Sequence, residues 1–341
     1  MTYLRNVWYM AAWAEEVVPA APLARTILEE PLVFFRTSAG AITALADRCP
    51  HRFAPLSWGD VRDGVITCRY HGLGFDGGGA CVANPHGPIS KNARVRAYPV
   101  QERHRAVWIW MGEPEAADVT LIPDLSFLAD APDAAFSSGY LELKANYELL
   151  VDNILDLSHT DFLHPDTLGG GMITRTKPDV AQERDAIRVS WNAPGAKPPP
   201  LIASLFPPEL KNTDVWTEVI WSPPGVMRLS AGAVASGRPR SEGFENRNVH
   251  IATPRDERTT HYFFGASRNF ATGDAALNER IAAARFKIFS TEDEPMLEAV
   301  QQRMGDTDFW SLKPVILAVD AAPVLVRRHL QRLISAERAA A

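Results

Sequence analysis

Cysteine is scarce in this chain: there are three among 341 residues. Three cannot form a disulfide framework. Low cysteine usage also fits a reducing compartment, where clustered Cys and His more often bind metal than form disulfides. Long apolar runs are missing as well. No stretch approaches the roughly 20 residues needed to span a bilayer. The opening "MTYLRNVWYMAAWAEE" has neither the apolar run nor the cleavage site of a signal peptide, so the cytoplasm is the expected location. Basic runs are absent too. The 35 Lys and Arg are scattered and outnumbered by 41 Asp and Glu, giving a net charge of −6, which excludes the electrostatic footprint of a nucleic-acid binder. No internal repeat is visible. "GLGFDG" at 72–77 matches G-x-G-x-x-G but leads into a turn and strand rather than a helix, so the dinucleotide fingerprint lacks its context.

The remainder is ordinary for a globular protein, 46% hydrophobic and 22% charged, and long enough for two domains with separate cores. Up to about residue 114 the chain reads as short strands punctuated by turns. "PLVFFR", "TSAG" and "AITALADR" form a hairpin pattern, and "AVWIWMGEP" is a strand with a Gly/Pro stop. Pro114, Pro123 and Pro132 mark the inter-domain connection. Residues 145–164 and 275–304 carry helical periodicity. Strand-like runs such as "VIWS" and "HYFFGAS" lie between them, and "PVLVRRHLQRLISAERAAA" closes the chain as a helix. The proline-rich 192–212 reads as a surface or lid-like loop. The expected class is α+β, with an all-β domain over 1–118 and a mixed domain over 119–341.

Two of the three cysteines are each followed closely by a histidine. Cys49 and His51 are one residue apart, Cys68 and His71 two apart, and sixteen residues separate the pairs. Two thiolates on one iron and two neutral imidazoles on the other hold a [2Fe-2S] cluster of the Rieske type; fewer anionic ligands penalise the reduced cluster less, so its potential rises. Glycine-rich surroundings suit close backbone approach to a cluster. The competing reading is structural zinc, but zinc sites more often pair Cys with Cys and His with His. Cys81 reads as a small buried residue near the cluster, and His86 in "NPHG" as a turn histidine.

A second constellation lies in "NYELLVDNILDLSHTDFLHPD". Asn153, Asp156 and His159 are three apart and share a helical face. His159 and His164 are five apart, about 140° on an ideal helix, so they converge only if the helix widens or ends between them; Pro165 gives it reason to end. Two histidines and a carboxylate with open positions are the ligand set of a non-haem iron(II) oxygenase. The carboxylate is sought in "FKIFSTEDEPMLEAV", where spacing leaves Glu292, Asp293 and Glu294 open.

With these motifs in place, the chain resembles the oxygenase components of the Rieske non-haem iron aromatic oxygenases, and within them the O-demethylase branch that includes vanillate and dicamba demethylases. The resemblance runs from "RNVWYMAAW" through "CPHRFAPLSWG", "CRYHGLGFDGGG" and "LLVDNILDLSHTDFLH" to "HYFFGASRNF" and "EDEPMLEAV". It implies a Rieske [2Fe-2S] domain followed by a helix-grip-like catalytic domain with an antiparallel sheet. It implies that Cys49, His51, Cys68 and His71 hold the cluster, and that His159, His164 and Asp293 hold Fe(2+). Asp156 matches the aspartate that bridges the two centres between neighbouring subunits of a homotrimer, hydrogen-bonded to a histidine of each. Asn153 matches a residue near the iron, and His250 falls where the branch places a polar substrate contact. Leu229 and Ala284 stand where the dicamba enzyme uses Asn and Trp, which argues against dicamba and leaves vanillate-like methoxybenzoates as the expected substrates. A separate flavin and iron–sulfur reductase, drawing on NAD(P)H, is implied because this chain carries no nucleotide-binding motif of its own. The rival readings are ring or methyl hydroxylation on the same scaffold, a simple Rieske electron carrier and a zinc-stabilised binding module. A carrier needs about 100 residues and would leave the second motif unexplained.

Overall fold

The computed structural model describes residues 3–340 apart from 170, 199–202, 204, 208, 209 and 211. The chain divides into two compact units. The first is Met1–Asp124 with Thr253–Asp256 and Glu337–Ala341; the second is Leu125–Ala252 with Glu257–Ala336. The two short additions are tied to the first unit by specific bonds. Thr253 Oγ1 donates to the Met10 carbonyl at 2.8 Å, and the Glu337 carboxylate accepts the amides of Arg5 and Asn6 at 2.7 and 2.6 Å.

The first unit is all-β among its named strands. Strands β1 (Trp8–Trp13), β10 (Val100–Arg103) and β11 (Ala106–Trp110) form a sheet in the order β1-β11-β10. "WYMAAW" and "AVWIW" are buried at every position, so their unbroken apolar runs are covered on both faces. A second sheet runs β2 (Leu23–Ile27), β3 (Glu30–Arg36), β4 (Ile42–Ala46), β9 (Ala97–Tyr98), with β3 and β4 making the expected hairpin. A third runs β5 (Asp60–Arg62), β6 (Val65–Thr67), β7 (Gly74–Phe75), β8 (Cys81–Ala83). After "GLGFDG" the chain turns into β8, not into a helix.

The second unit is built on one seven-stranded sheet: β12 (Phe136–Leu143), β13 (Asp179–Glu183), β14 (Ala186–Ala196), β15 (Thr213–Ser222), β16 (Val226–Ala235), β17 (Phe244–Asp256) and β18 (Thr259–Arg268). The order is β12-β18-β17-β16-β15-β14-β13, so the first strand pairs with the last and the intervening five follow as a meander. Helix α1 (Tyr147–Leu155), the short α2 (Thr160–Leu163), α3 (Ala275–Ile288), α4 (Glu294–Met304) and the C-terminal α5 (Ala321–Ala340) accompany the sheet. The α+β class expected from the sequence holds, with the antiparallel sheet in the C-terminal part. Of the proline-rich 192–212, residues 192–196 end β14, and much of the remainder lies outside the described residues.

Helix α1 is fixed at both ends and from the side. Asn146 caps it, its Oδ1 accepting the Glu148 amide at 2.9 Å. Glu148 and Asp152, four apart on one face, both grip Arg327 of α5: Nη1 to Glu148 at 2.8 Å and Nη2 to Asp152 at 2.7 Å. The guanidinium also lies 4.2 Å from the Phe309 ring centroid. Removing one partner of so buried a network strands a charge, so the sequence holds α1 in one position.

Candidate metal centres

The two Cys-His fingers prove to be the same turn used twice. The Cys49 carbonyl accepts the Phe53 amide and its own amide reaches the Ala54 carbonyl, both at 2.9 Å. The Cys68 carbonyl accepts the Gly72 amide at 2.9 Å, and its amide reaches Leu73 at 2.8 Å. In each finger the residue four after the cysteine is left-handed, Phe53 at φ +61° and Gly72 at φ +75°. That common frame explains why C-x-H and C-x2-H serve equally: both histidines ride inside one five-residue loop. Their rings come together, His51 and His71 lying 4.4 Å apart between centroids.

Burial sorts the four groups by chemistry. Cys49 and Cys68 sit in a core with Val33, Phe35, Leu45, Leu56 and Ile66, whereas His51 is exposed and His71 half-buried. Burial raises the Cys49 thiol above its usual range, and the adjoining Cys68 thiol adds to it. Two neighbouring buried thiols ionise together when a cationic centre draws off their protons. The surroundings of His71, then the charges of His51 and His86, lower its pKa and favour the neutral, metal-ligating imidazole. Two sulfurs inside and two nitrogens outside fit the donor set of a Rieske cluster. Cys81 is half-buried against the same core, and its thiol donates to the Ala83 carbonyl at 3.4 Å. His86 is exposed with Nε2 2.9 Å from the His71 carbonyl, in keeping with a turn histidine.

In the second unit the helix breaks ahead of both histidines rather than between them. Helix α1 stops at Asp156 (φ −114°, ψ 88°), whose carboxylate accepts the Ser158 amide at 2.9 Å and starts a fresh 3-10 turn, Leu157–His159. Helix α2 then ends at His164 (φ −119°, ψ 44°). The His159 and His164 rings end 5.3 Å apart between centroids. The widened helix occurs on the other side of the site. Phe289–Asp293 is a π-helical turn joining α3 to α4. The sequence supplies a cause: Thr291 Oγ1 and Ser290 Oγ both bond back to the Lys287 carbonyl, at 2.8 and 3.3 Å, competing with the helical ladder.

Ligand atoms of His159, His164 and Asp293 all lie within 4.8 Å of one another. Of the three acids left open by spacing, Asp293 is the one in this group; it is buried, with Oδ1 3.2 Å from His164 Nε2. Glu292 takes a different place, its Oε2 2.6 Å from His164 Nδ1. Burial alone would lower the His164 pKa, but the two carboxylates outweigh it and raise it; His159 is lowered, by burial above all. Asn153 Nδ2 donates to Asp293 Oδ1 at 3.2 Å and lies 3.4 Å from His159 Nε2. The contact from Asp156 to His159 is made by the main chain: its carbonyl accepts Nδ1–H at 2.6 Å, while the carboxylate caps the next turn. One carboxylate and two imidazoles, each imidazole held through its other nitrogen, match a ferrous site with open positions.

His250 on β17 is buried, its Nδ1 2.7 Å from the Tyr262 hydroxyl. Burial, then the positive charge of Arg285, pulls its pKa down to about 3. Tyr262 is raised well above its usual value by burial. The neutral imidazole and the phenol share one hydrogen bond at Nδ1, and Nε2 is the ring's other polar atom. Phe289, in the π turn, lies 5.5 Å from His250 and 5.8 Å from Tyr262 between ring centroids. Leu229 is half-buried on β16 and Ala284 is exposed on α3. Sequence reasoning missed Tyr262, Phe289 and the role of Glu292. The "HYFF" run signals a buried aromatic strand but not a histidine partner, and only the neighbouring position of Glu292 hinted at its contact.

These features agree with the comparisons. The Rieske [2Fe-2S] domain model matches residues 7–99, and the vanillate O-demethylase oxygenase C-terminal domain model matches 143–336. The oxygenase component of chloroacetanilide N-alkylformylase from Rhizorhabdus wittichii is 39% identical over 98% of this chain and 97% of its own. The oxygenase component of dicamba O-demethylase from Stenotrophomonas maltophilia is 38% identical over 99% of this chain and 100% of its own. The crystal structure of dicamba monooxygenase bound to dicamba superposes with a TM-score of 0.91 at 37% identity, covering 99% of this chain and 100% of that one. The cofactors are accordingly a Rieske [2Fe-2S] cluster and a mononuclear non-haem iron. This chain belongs to the Rieske non-haem iron oxygenases, as an oxygenase component related to the vanillate and dicamba O-demethylases.

Proposed function

We propose that this oxygenase O-demethylates a methoxylated aromatic acid of the vanillate type, leaving a phenol and releasing formaldehyde. The observation that carries the reading is the His159–His164–Asp293 triad, with its ligand atoms within 4.8 Å, in the same unit as the buried, neutral His250–Tyr262 pair. When bound, the [2Fe-2S] cluster supplies single electrons and the ferrous ion supplies oxygen activation. Cys49, His51, Cys68 and His71 hold the cluster; His159, His164 and Asp293 hold the iron. Asn153 steadies the Asp293 carboxylate, Glu292 fixes the His164 tautomer, and the Asp156 carbonyl fixes His159. His250 offers Nε2–H to a substrate oxygen, with its orientation set by Tyr262. Phe289 provides an aromatic wall beside it. Residues 1–118 serve as the cluster domain and 119–341 as the iron domain.

The overall balance is one methoxyarene, dioxygen, NAD(P)H and a proton giving a phenol, formaldehyde, water and NAD(P)+. The nicotinamide's electrons arrive through a separate flavin and iron–sulfur reductase. Chains assemble as a homotrimer, with the Asp156 carboxylate set against a cluster histidine of the neighbouring subunit. A second reading, oxidation of an N-alkyl group on a chloroacetanilide, draws on the identity to the relative named for that reaction. The test is turnover with a surrogate reductase on vanillate, 3- and 4-methoxybenzoate and a chloroacetanilide. Formaldehyde and phenol in equal amounts from a methoxybenzoate, coupled to oxygen uptake, is the expected result. Oxygen uptake with ring- or methyl-hydroxylated products and no formaldehyde would overturn it.

A further inference from the structure

The second unit holds a cation that no carboxylate among the described residues pairs with. Arg285 sits near the end of α3 and is half-buried as a residue. Among the described residues it makes one hydrogen bond, Nη1 to Ser137 Oγ of β12 at 2.9 Å, and no ion pair. The two most buried arginines among the described residues, Arg268 and Arg327, are treated differently. Arg327 is gripped by two carboxylates, and Arg268 donates to Asn278 and three main-chain carbonyls. The protein around Arg285 is dense enough to pull its pKa down to about 10, and no carboxylate opposes that pull. It remains charged at neutral pH. Its Nε and Nη2 are not sealed from solvent and so stay open to an incoming anion.

Its place on the helix says which anion. Arg285, Phe289 and Asp293 follow at intervals of four, so they recur on one face of α3 and its π-helical continuation. Asp293 belongs to the triad, Phe289 lies against His250 and Tyr262, and Arg285 is one turn further from the triad. Its charge is felt by both His250 and Tyr262. Two turns of helix separate it from Asp293, roughly 12 Å along the axis.

We propose that Arg285, steadied by Ser137, is the specificity-determining residue that binds the substrate's carboxylate, at the end of the aromatic ring far from the triad. The inference rests on the reading of the site given under the proposed function and narrows it. The carboxylate lies meta or para to the reacting methoxy group, because an ortho carboxylate would be held beside the triad instead. A neutral chloroacetanilide would leave Arg285 without a partner. The guanidinium fork matches a carboxylate with two parallel hydrogen bonds, which a lysine cannot reproduce.

The test is direct binding, measured by calorimetry on the iron-loaded protein without reductase, so that no turnover enters. The ligands are 4-methoxybenzoate, 2-methoxybenzoate and the neutral 4-methoxybenzamide, against wild type, Arg285→Lys and Arg285→Gln. Wild type is expected to bind 4-methoxybenzoate about 10- to 100-fold more tightly than the amide. Arg285→Gln should erase that preference while leaving amide affinity within about twofold, and Arg285→Lys should keep part of it. Unchanged acid affinity in Arg285→Gln overturns the proposal. So does an equal loss for acid and amide, which marks a merely structural role, or an equal dependence on Arg285 for the ortho isomer. Formaldehyde release is scored separately. If the acid preference stands and depends on Arg285 but no methoxybenzoate yields formaldehyde, the demethylase reading fails and the anion site remains.

Discussion

At neutral pH His250 carries no charge, since its pKa is drawn down to about 3 mainly by burial. In an unfolded chain the same imidazole titrates near 6.5. Between these values the unfolded chain binds a proton that the folded chain refuses. Stability therefore falls as pH drops below 6.5, by up to about 1.4 kcal/mol per pH unit from this group. Urea melts of wild type and His250→Asn at pH 7, 6 and 5 measure it. Wild type should lose stability more steeply on acidification than the variant, whatever their difference at pH 7; parallel slopes would show that His250 is not buried neutral. The sequence marked His250 only through resemblance, because its meaning depends on Tyr262, twelve residues along the chain and brought to it by the sheet. The two matched fingers of Cys49 with His51 and Cys68 with His71 were legible directly. Four residues of two uncommon types in register are a local signal, and a local turn is what holds them.

Among the elements, the finger turn was legible in spacing but not in its internal symmetry. Gly72 advertises a left-handed residue. Phe53 does the same job at φ +61° without a glycine, so nothing in the sequence reveals that both fingers share one backbone path. The shared path fixes unequal responses to substitution at the two positions. At Gly72 (φ +75°) an added Cβ would also meet Pro85 Cγ at 3.0 Å. Gly72→Ala should destabilise the first unit by about 1–2 kcal/mol. Phe53→Gly relieves the same backbone penalty, offset by the larger entropy of glycine in the unfolded chain, and should change stability little. Thermal melts of the brown holoprotein, followed at the cluster's visible absorption, separate the two; a Gly72→Ala melt matching wild type would sink the shared-turn account. The π-helical turn was hidden for a related reason. "FSTED" reads as ordinary helix, and only the return of both hydroxyls to the Lys287 carbonyl shows why the ladder opens there.

For the whole molecule, the two-part organisation was visible in the change from turn-punctuated strands to mixed periodicity. The joining of Thr253–Asp256 and Glu337–Ala341 to the first unit was not, because those contacts link residues hundreds of positions apart. The surface of the first unit also asks for company. Of the finger histidines His51 is exposed and His71 half-buried, and Phe53, Trp58 and Tyr70, on and near the finger loops, are 69%, 72% and 64% exposed. Large aromatic side chains so exposed suit an interaction surface. The proposed trimer supplies a partner for that face, with electrons leaving one chain's cluster for the iron of its neighbour. That arrangement makes a sharp prediction for mixed assemblies. Cys68→Ala disables the cluster and leaves the iron residues intact; His164→Ala does the reverse. Each alone should be nearly inactive. Co-expressed, they should form oligomers of about three times 37.6 kDa in which an intact cluster meets an intact iron site across a subunit boundary. Light scattering gives the mass and formaldehyde release gives the activity. If mixed trimers form yet stay as inactive as their parents, electrons do not cross between subunits, and the bridging role of Asp156 falls with that route.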